Sequence, residues 1–483
     1  MVVLDGASLT IDSLSAVAEA LDEVVLAPAA RDRMTAAREV VEEALRSDAA
    51  VYGLTTALAE RKNVALDAAA RQGFSRFLIK GHLIAQGPPA PPPVVRAAMV
   101  CLANAFAKGA AGVRPELAEL LVHALNRGVV PAVRGLGSVG QADLGPMADL
   151  AEGLVHETGF ALADNEGLAL INNNAFSTGW AALAELSAER LLGEAEVAAA
   201  LDLEAFAANL SILHPVVAEV RPHPGTVAAI RRLRALLAGS SLMERGSARN
   251  LQDPLTFRSI PQILGATRDA LGYARTTIET ELNSAGCNPT VVLAERRIVS
   301  SGNLDIVPVA AALDFARIAL ATLVTCAAER TVKLLQSPLS GLPAGLAAEG
   351  DTGEEALAEF AGAAQAIAAE ARTLAHPVSF EVVSSIKAEG IEDRTTMAPL
   401  SARRLADMAD LAARVVALEL LVAAQAIDLR RTSHLGDGTG RALRLVRELA
   451  GFTARGQAPP DNIEALVDTV RAGNFARTAM SGQ

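Results

Sequence analysis

From Ala402 to Arg430, Leu405, Met408, Leu411, Val415, Leu418 and Leu421 return at intervals of three and four residues, a spacing that sets one apolar stripe along a helix. Arg403, Arg404, Asp407, Asp410 and Arg414 fall between them. The segment therefore reads as an amphipathic or buried helix and not as a membrane span, which needs roughly 20 apolar residues in a row. A second helix is expected from Val94 to Lys108, entered through a bend marked by Pro88, Pro89, Pro91, Pro92 and Pro93. Another bend runs from Ala458 to Asp461. Both are too short for flexible tethers, and the chain shows neither a low-complexity tract nor a repeat at a fixed period.

Composition sharpens this picture. Over 483 residues the chain is 51% hydrophobic but only 3% aromatic, so its core must be built from Ala, Leu and Val. Ala and Leu lead the helix propensity scale, and a mainly α fold with a long central bundle is expected. Length suggests about three domains at ~150 residues each, yet linkers that would separate them are missing. A net charge of −12, with Arg interspersed among Asp and Glu, argues against a nucleic-acid partner. Cys101, Cys287 and Cys326 are odd in number and lack Cys-x-x-Cys spacing, which fits a reducing cytoplasm. The N-terminal residues, with Asp5 among them, show no basic stretch followed by an apolar run, so no signal peptide is expected.

The chemistry-bearing segment is Gly137-Ser138-Val139-Gly140-Gln141-Ala142-Asp143-Leu144-Gly145-Pro146. It resembles the loop Gly-Ser-Val-Gly-Ala-Ser-Gly-Asp-Leu-Ala-Pro of the histidine and phenylalanine ammonia-lyases, whose Ala-Ser-Gly triplet closes into the electrophile methylidene-imidazolone. That closure needs a glycine nitrogen to attack a carbonyl two residues back and a central serine to lose water. Gln141-Ala142 offers neither, so no cofactor is expected. The resemblance continues in family order through Val3-Leu4-Asp5-Gly6, Tyr52-Gly53-Leu54-Thr55-Thr56, Gly112-Val113-Arg114-Pro115, Asn172, and Gln252-Asp253-Pro254-Leu255-Thr256-Phe257-Arg258. Ser301-Gly302-Asn303, Pro308-Val309-Ala310, Gly390-Ile391-Glu392-Asp393 and Ala402-Arg403-Arg404-Leu405 complete it.

This resemblance implies an ammonia-lyase-like (L-aspartase/fumarase-like) long helical bundle with an N-terminal substrate-loop domain, divided here at 1–200 and 201–483. It also implies a homotetramer whose active sites combine loops from three subunits. It makes Tyr52 the base that removes the β-proton, although a tyrosine by itself more often packs its ring against a helix. Arg258 matches the carboxylate-binding arginine, whose planar fork suits a bidentate contact. Asn172 and Gln252 match positions that orient the carboxylate, and Asn303 falls in another substrate-side motif. His82, in Lys80-Gly81-His82-Leu83, stands where histidine-specific members carry Ser-His, so it points to an imidazole, against the alternative of a satisfied core histidine. Glu392 matches a glutamate near the substrate ring and amine. Lys387 stands where an uncharged residue is usual, facing a polar ring substituent or simply pairing with a nearby glutamate.

Leu255 and Val307 replace a tyrosine and a glutamate that flank the substrate amine in the family. With the triplet gone as well, the amine end is rebuilt while the carboxylate and ring ends are kept. A quaternary ammonium needs no electrophile because it leaves as a neutral tertiary amine. The expected substrate is therefore an imidazole betaine, trimethylhistidine or its 2-thio derivative ergothioneine. Phe176 and Trp180 could face such a cation, or could be helix core. A non-catalytic family member, or a lyase or isomerase for another acid, remains the alternative.

Overall fold

The stripe at Leu405, Met408, Val415, Leu418 and Leu421 lies on a helix spanning Ala398–Arg430, with each of these side chains 2% exposed or less and Leu411 half-buried. Ala402, Ala412, Ala417, Ala423, Ala424 and Ala426 on the same helix are fully buried, so small side chains rather than aromatic ones fill the space around it. The expected second helix runs Pro92–Ala107, with proline at its start where a missing N–H costs nothing. Elsewhere Thr10 caps Ile11–Ala18 through a capping box, and Gly159, in the left-handed region, ends Leu144–Thr158. The computed structural model describes residues 1–47, 49–349, 354–380, 390–432 and 434–481.

The chain packs into two units, one made of Met1–Leu186, Ala274–Asp314 and Pro377–Arg403, the other of Ser187–Tyr273, Phe315–His376 and Arg404–Gln483. A single division near residue 200 does not describe this packing. Boundaries fall inside the long helices Ala175–Phe206, Ile260–Leu282, Val307–Leu335 and Ala398–Arg430, so each of these helices contributes to both units.

The first unit holds three small two-stranded sheets: Val2–Leu4 parallel to Val24–Leu26, Gln86–Pro89 antiparallel to Arg134–Leu136, and Thr290–Val292 antiparallel to Arg297–Val299. The second sheet places the segment after His82 beside the strand that leads into the Gly137–Pro146 loop.

Buried charge organises the second unit. Arg330 Nε donates to Asp202 Oδ2 at 2.8 Å and its Nη2 lies 2.6 Å from Glu419 Oε1, with all three side chains 3% exposed or less. Val307–Leu335, which carries Arg330, is long and apolar enough by length and composition to cross a membrane. Its locked arginine is what a core helix of a packed domain carries.

Glu194 accepts the N–H groups of Phe475 and Ala476 at 3.2 and 2.7 Å and so docks the C-terminal helix Asn474–Met480. Burial pushes its carboxyl up from 4.5 to about 8, against those two bonds. A carboxyl raised in the folded state contributes stability that is complete below its unfolded value and is lost as pH rises through about 8. The thermal midpoint is therefore expected to fall between pH 5 and pH 9, and Glu194→Gln should flatten that fall. An unchanged slope in the variant would remove Glu194 as its source.

Candidate active site

Asp143 anchors the loop that the sequence singled out. Its carboxylate accepts Ser138 Oγ, Ser177 Oγ and Ser177 N–H, each at 2.7 Å, and it is fully buried. Burial raises its carboxyl above the ordinary 3.8 in spite of these donors. Thr396 Oγ1 and Asn174 Nδ2 both donate to the Gly140 carbonyl, at 2.7 and 3.0 Å. Gly140 has φ +76°, and a Cβ there would sit 2.3 Å from Thr396 Oγ1, so glycine alone fits. Ala142, 3% exposed and at φ +59°, presents a methyl group with no hydroxyl to dehydrate. The backbone nitrogen that would have to attack belongs to Asp143, and its N–H is committed to the Asn173 carbonyl at 2.8 Å. These residues do not fit a methylidene-imidazolone.

In front of the loop lies a cavity of about 260 Å³, lined by Ile84, Val139, Gln141, Ala142, Glu392 and Arg394 together with neighbouring loop residues. Gln141 Oε1 is buried and has no hydrogen-bond partner among the described residues. The Gln141 backbone pairs with that of Asp305, and Asp305 Oδ2 accepts Arg394 Nη2 at 2.9 Å and Nε at 3.2 Å. Sequence reading missed Arg394 and Asp305. Their one local signal is that Arg394 follows directly on the matched Gly390–Asp393 motif, whereas the pairing with Asp305 spans 89 residues.

Tyr52 sits half-buried in a turn, its Oη accepting Ala59 N–H at 3.2 Å. Gly53 beside it has φ +70°, and a Cβ there would meet Leu168 Cδ2 at 2.4 Å, so this glycine sets the turn that carries the phenol. Burial raises the phenol above its ordinary value of 10, the Ala59 N–H opposes this, and the Glu392 carboxylate raises it further. Tyr52 and Glu392 therefore influence each other within one chain.

His82 caps the helix Phe74–Gly81, and its Nδ1 lies 2.7 Å from the Leu78 carbonyl. Since a carbonyl can only accept, Nδ1 is the donor in this contact, and Nε2 is the ring nitrogen left for another partner. Asn172 is half-buried and donates Nδ2 to the Asn288 carbonyl at 3.0 Å, while Asn303 is exposed. Gln252 and Arg258 belong to the second unit. Gln252 is exposed there, and Arg258 Nε donates to the Asp253 carbonyl at 2.7 Å, with no partner for either Nη group among the described residues.

Phe176 is fully buried, edge-on to Trp180 with ring centroids 5.5 Å apart, so it is helix core and not a cation receptor. Lys387 lies outside the described residues.

This fold and loop mark a class. The chain matches the aromatic amino acid lyase family over residues 9–160 and 157–448, and it belongs to that family. It is 36% identical over 507 residues to a histidine ammonia-lyase of Stigmatella aurantiaca, covering 99% of each chain. Among solved structures it is similar to the ergothioneine-degrading enzyme ergothionase of Treponema denticola, solved with desmethyl-ergothioneine sulfonic acid. The TM-score there is 0.90 at 25% identity, with 99% of each chain covered. It is likewise similar to tyrosine aminomutase of Streptomyces globisporus, with a TM-score of 0.92 at 29% identity over 99% of this chain and 98% of that one.

Proposed function

We propose that this protein is a carbon–nitrogen lyase that eliminates trimethylamine from an imidazole betaine, ergothioneine or trimethylhistidine, to give a urocanate-type acid without an internal electrophile. The observation that carries this reading is the Gln141-Ala142 loop, where the dehydratable serine and the attacking glycine are both missing. In the reaction the Tyr52 phenolate takes the β-proton, the freed C–H pair becomes the new double bond, and the C–N pair departs with nitrogen as neutral trimethylamine. Arg258 and Asn172 hold the carboxylate, with Gln252 and Asn303 supporting them. His82 and Glu392 hold the ring, and Lys387 faces its substituent. The active assembly is a homotetramer with shared sites, since the exposed Leu251 and Leu255 beside Gln252 and Arg258 leave an apolar surface that a partner subunit would cover.

Incubation with histidine, trimethylhistidine and ergothioneine, followed by ultraviolet absorbance and amine release, tests this. An acrylate chromophore and trimethylamine are expected from a betaine, and no ammonia from histidine. Intact mass should equal that of the unmodified chain. Ammonia from histidine, or a mass deficit of two waters in a peptide spanning Gln141, would sink the reading. Lys387→Met then separates the betaines, because an ammonium stabilises a partly anionic sulfur and offers nothing to an unsubstituted ring. A loss confined to ergothioneine is expected.

A further inference from the structure

We infer that the side-chain carbonyl of Gln141 is the receptor for the cationic nitrogen of the substrate, and that it makes the amine end of the cavity selective for a quaternary over a primary ammonium. This rests on the proposed elimination for its substrate class, but the selectivity is a property of the cavity itself. Gln141 Oε1 is buried without a donor among the described residues, and a buried acceptor left empty costs free energy unless an electropositive group meets it. The backbone that carries it is fixed: Gln141 pairs with Asp305, and the next residue, Ala142, is buried in the left-handed region.

The surrounding charge agrees. Glu392 and Arg394 both line the cavity, but the Arg394 guanidinium is neutralised by Asp305, leaving the Glu392 carboxylate as the uncompensated charge among the described residues. The walls at Ile84, Val139, Ala142 and Leu144 are apolar. A primary ammonium brings three N–H donors, of which one carbonyl oxygen satisfies one, and it gives up a strong hydration shell on entry. A trimethylammonium brings none. Its charge is spread over methyl groups that pack against apolar walls and present polarised C–H bonds to Oε1.

The test uses the full chain and two probes of the same shape, tetramethylammonium as the bare cation and tert-butanol as its neutral counterpart, with methylammonium as the primary cation. Calorimetry on the wild type is expected to show tetramethylammonium binding at least tenfold tighter than either of the others. Gln141→Met, similar in volume and without the carbonyl, should lose most of that preference, and Gln141→Glu should increase it. Equal binding of tetramethylammonium by the wild type and Gln141→Met would overturn the inference, as would a wild type that prefers methylammonium. Gln141→Glu keeps the test decisive if Gln141→Met fails to fold, because weaker cation binding in that variant would also overturn it. Should the wild type discriminate as expected yet release no trimethylamine from either betaine, the receptor stands and the elimination falls.

Discussion

Replacing Tyr52 with phenylalanine is expected to lower kcat on a histidine betaine by a factor of at least ~100 while leaving substrate affinity nearly unchanged. The phenol oxygen is the only atom lost, and the ring that fills the turn beside Gly53 stays. The pH profile makes the prediction specific. Burial, and after it the Glu392 carboxylate, raise the Tyr52 phenol above its ordinary value of 10, against the donor from Ala59. In the free protein the phenolate at pH 7 is therefore scarcer than for an ordinary tyrosine. Since kcat/KM reports the free enzyme, it should climb with pH through 9 without levelling. The profile of kcat should level at a lower pH, because a bound quaternary cation stabilises the phenolate. A kcat/KM flat from pH 6 to pH 9, or a phenylalanine variant with near-normal turnover, would move the base elsewhere, and Glu392 is the next group in position.

Arg330→Met is expected to cost the second unit about 3–5 kcal/mol of stability, because it strands Asp202 and Glu419 in the interior without their shared cation. The Asp202 carboxyl is already held well above its ordinary 3.8 by burial and by the Glu419 charge, with Arg330 opposing both. In the variant the opposing cation is gone, so the Asp202 carboxyl is driven further up. The destabilisation should accordingly be smaller at pH 5 than at pH 8, read as the shift in the midpoint of chemical unfolding. Adding Asp202→Asn and Glu419→Leu should recover most of the loss. A variant as stable as the wild type at pH 8 would mean that the three groups are not an electrostatic unit.

By itself the sequence determined the helical class, the helices at Pro92–Ala107 and Ala398–Arg430, and the lack of a serine at Gln141-Ala142. Each of these is a local property. A stripe such as Leu405 to Leu421 specifies a helix through neighbours three and four residues away, and a missing serine is missing in any fold. Ordered motifs along nearly the whole length likewise singled out Tyr52, Arg258 and Glu392 as candidates.

Tertiary structure decided what those residues face. Asp143, read as part of a degenerate cofactor loop, is a buried anchor whose carboxylate holds Ser138 and Ser177. Phe176 went to the core, because its helix turns that face inward. Arg394 meets Asp305 across 89 residues, and Thr396 meets Gly140 across 256. No periodicity or propensity encodes contacts of that range. They exist only once the helices have closed around the loop, and they hold the backbone around Gln141, whose Oε1 is buried without a partner among the described residues.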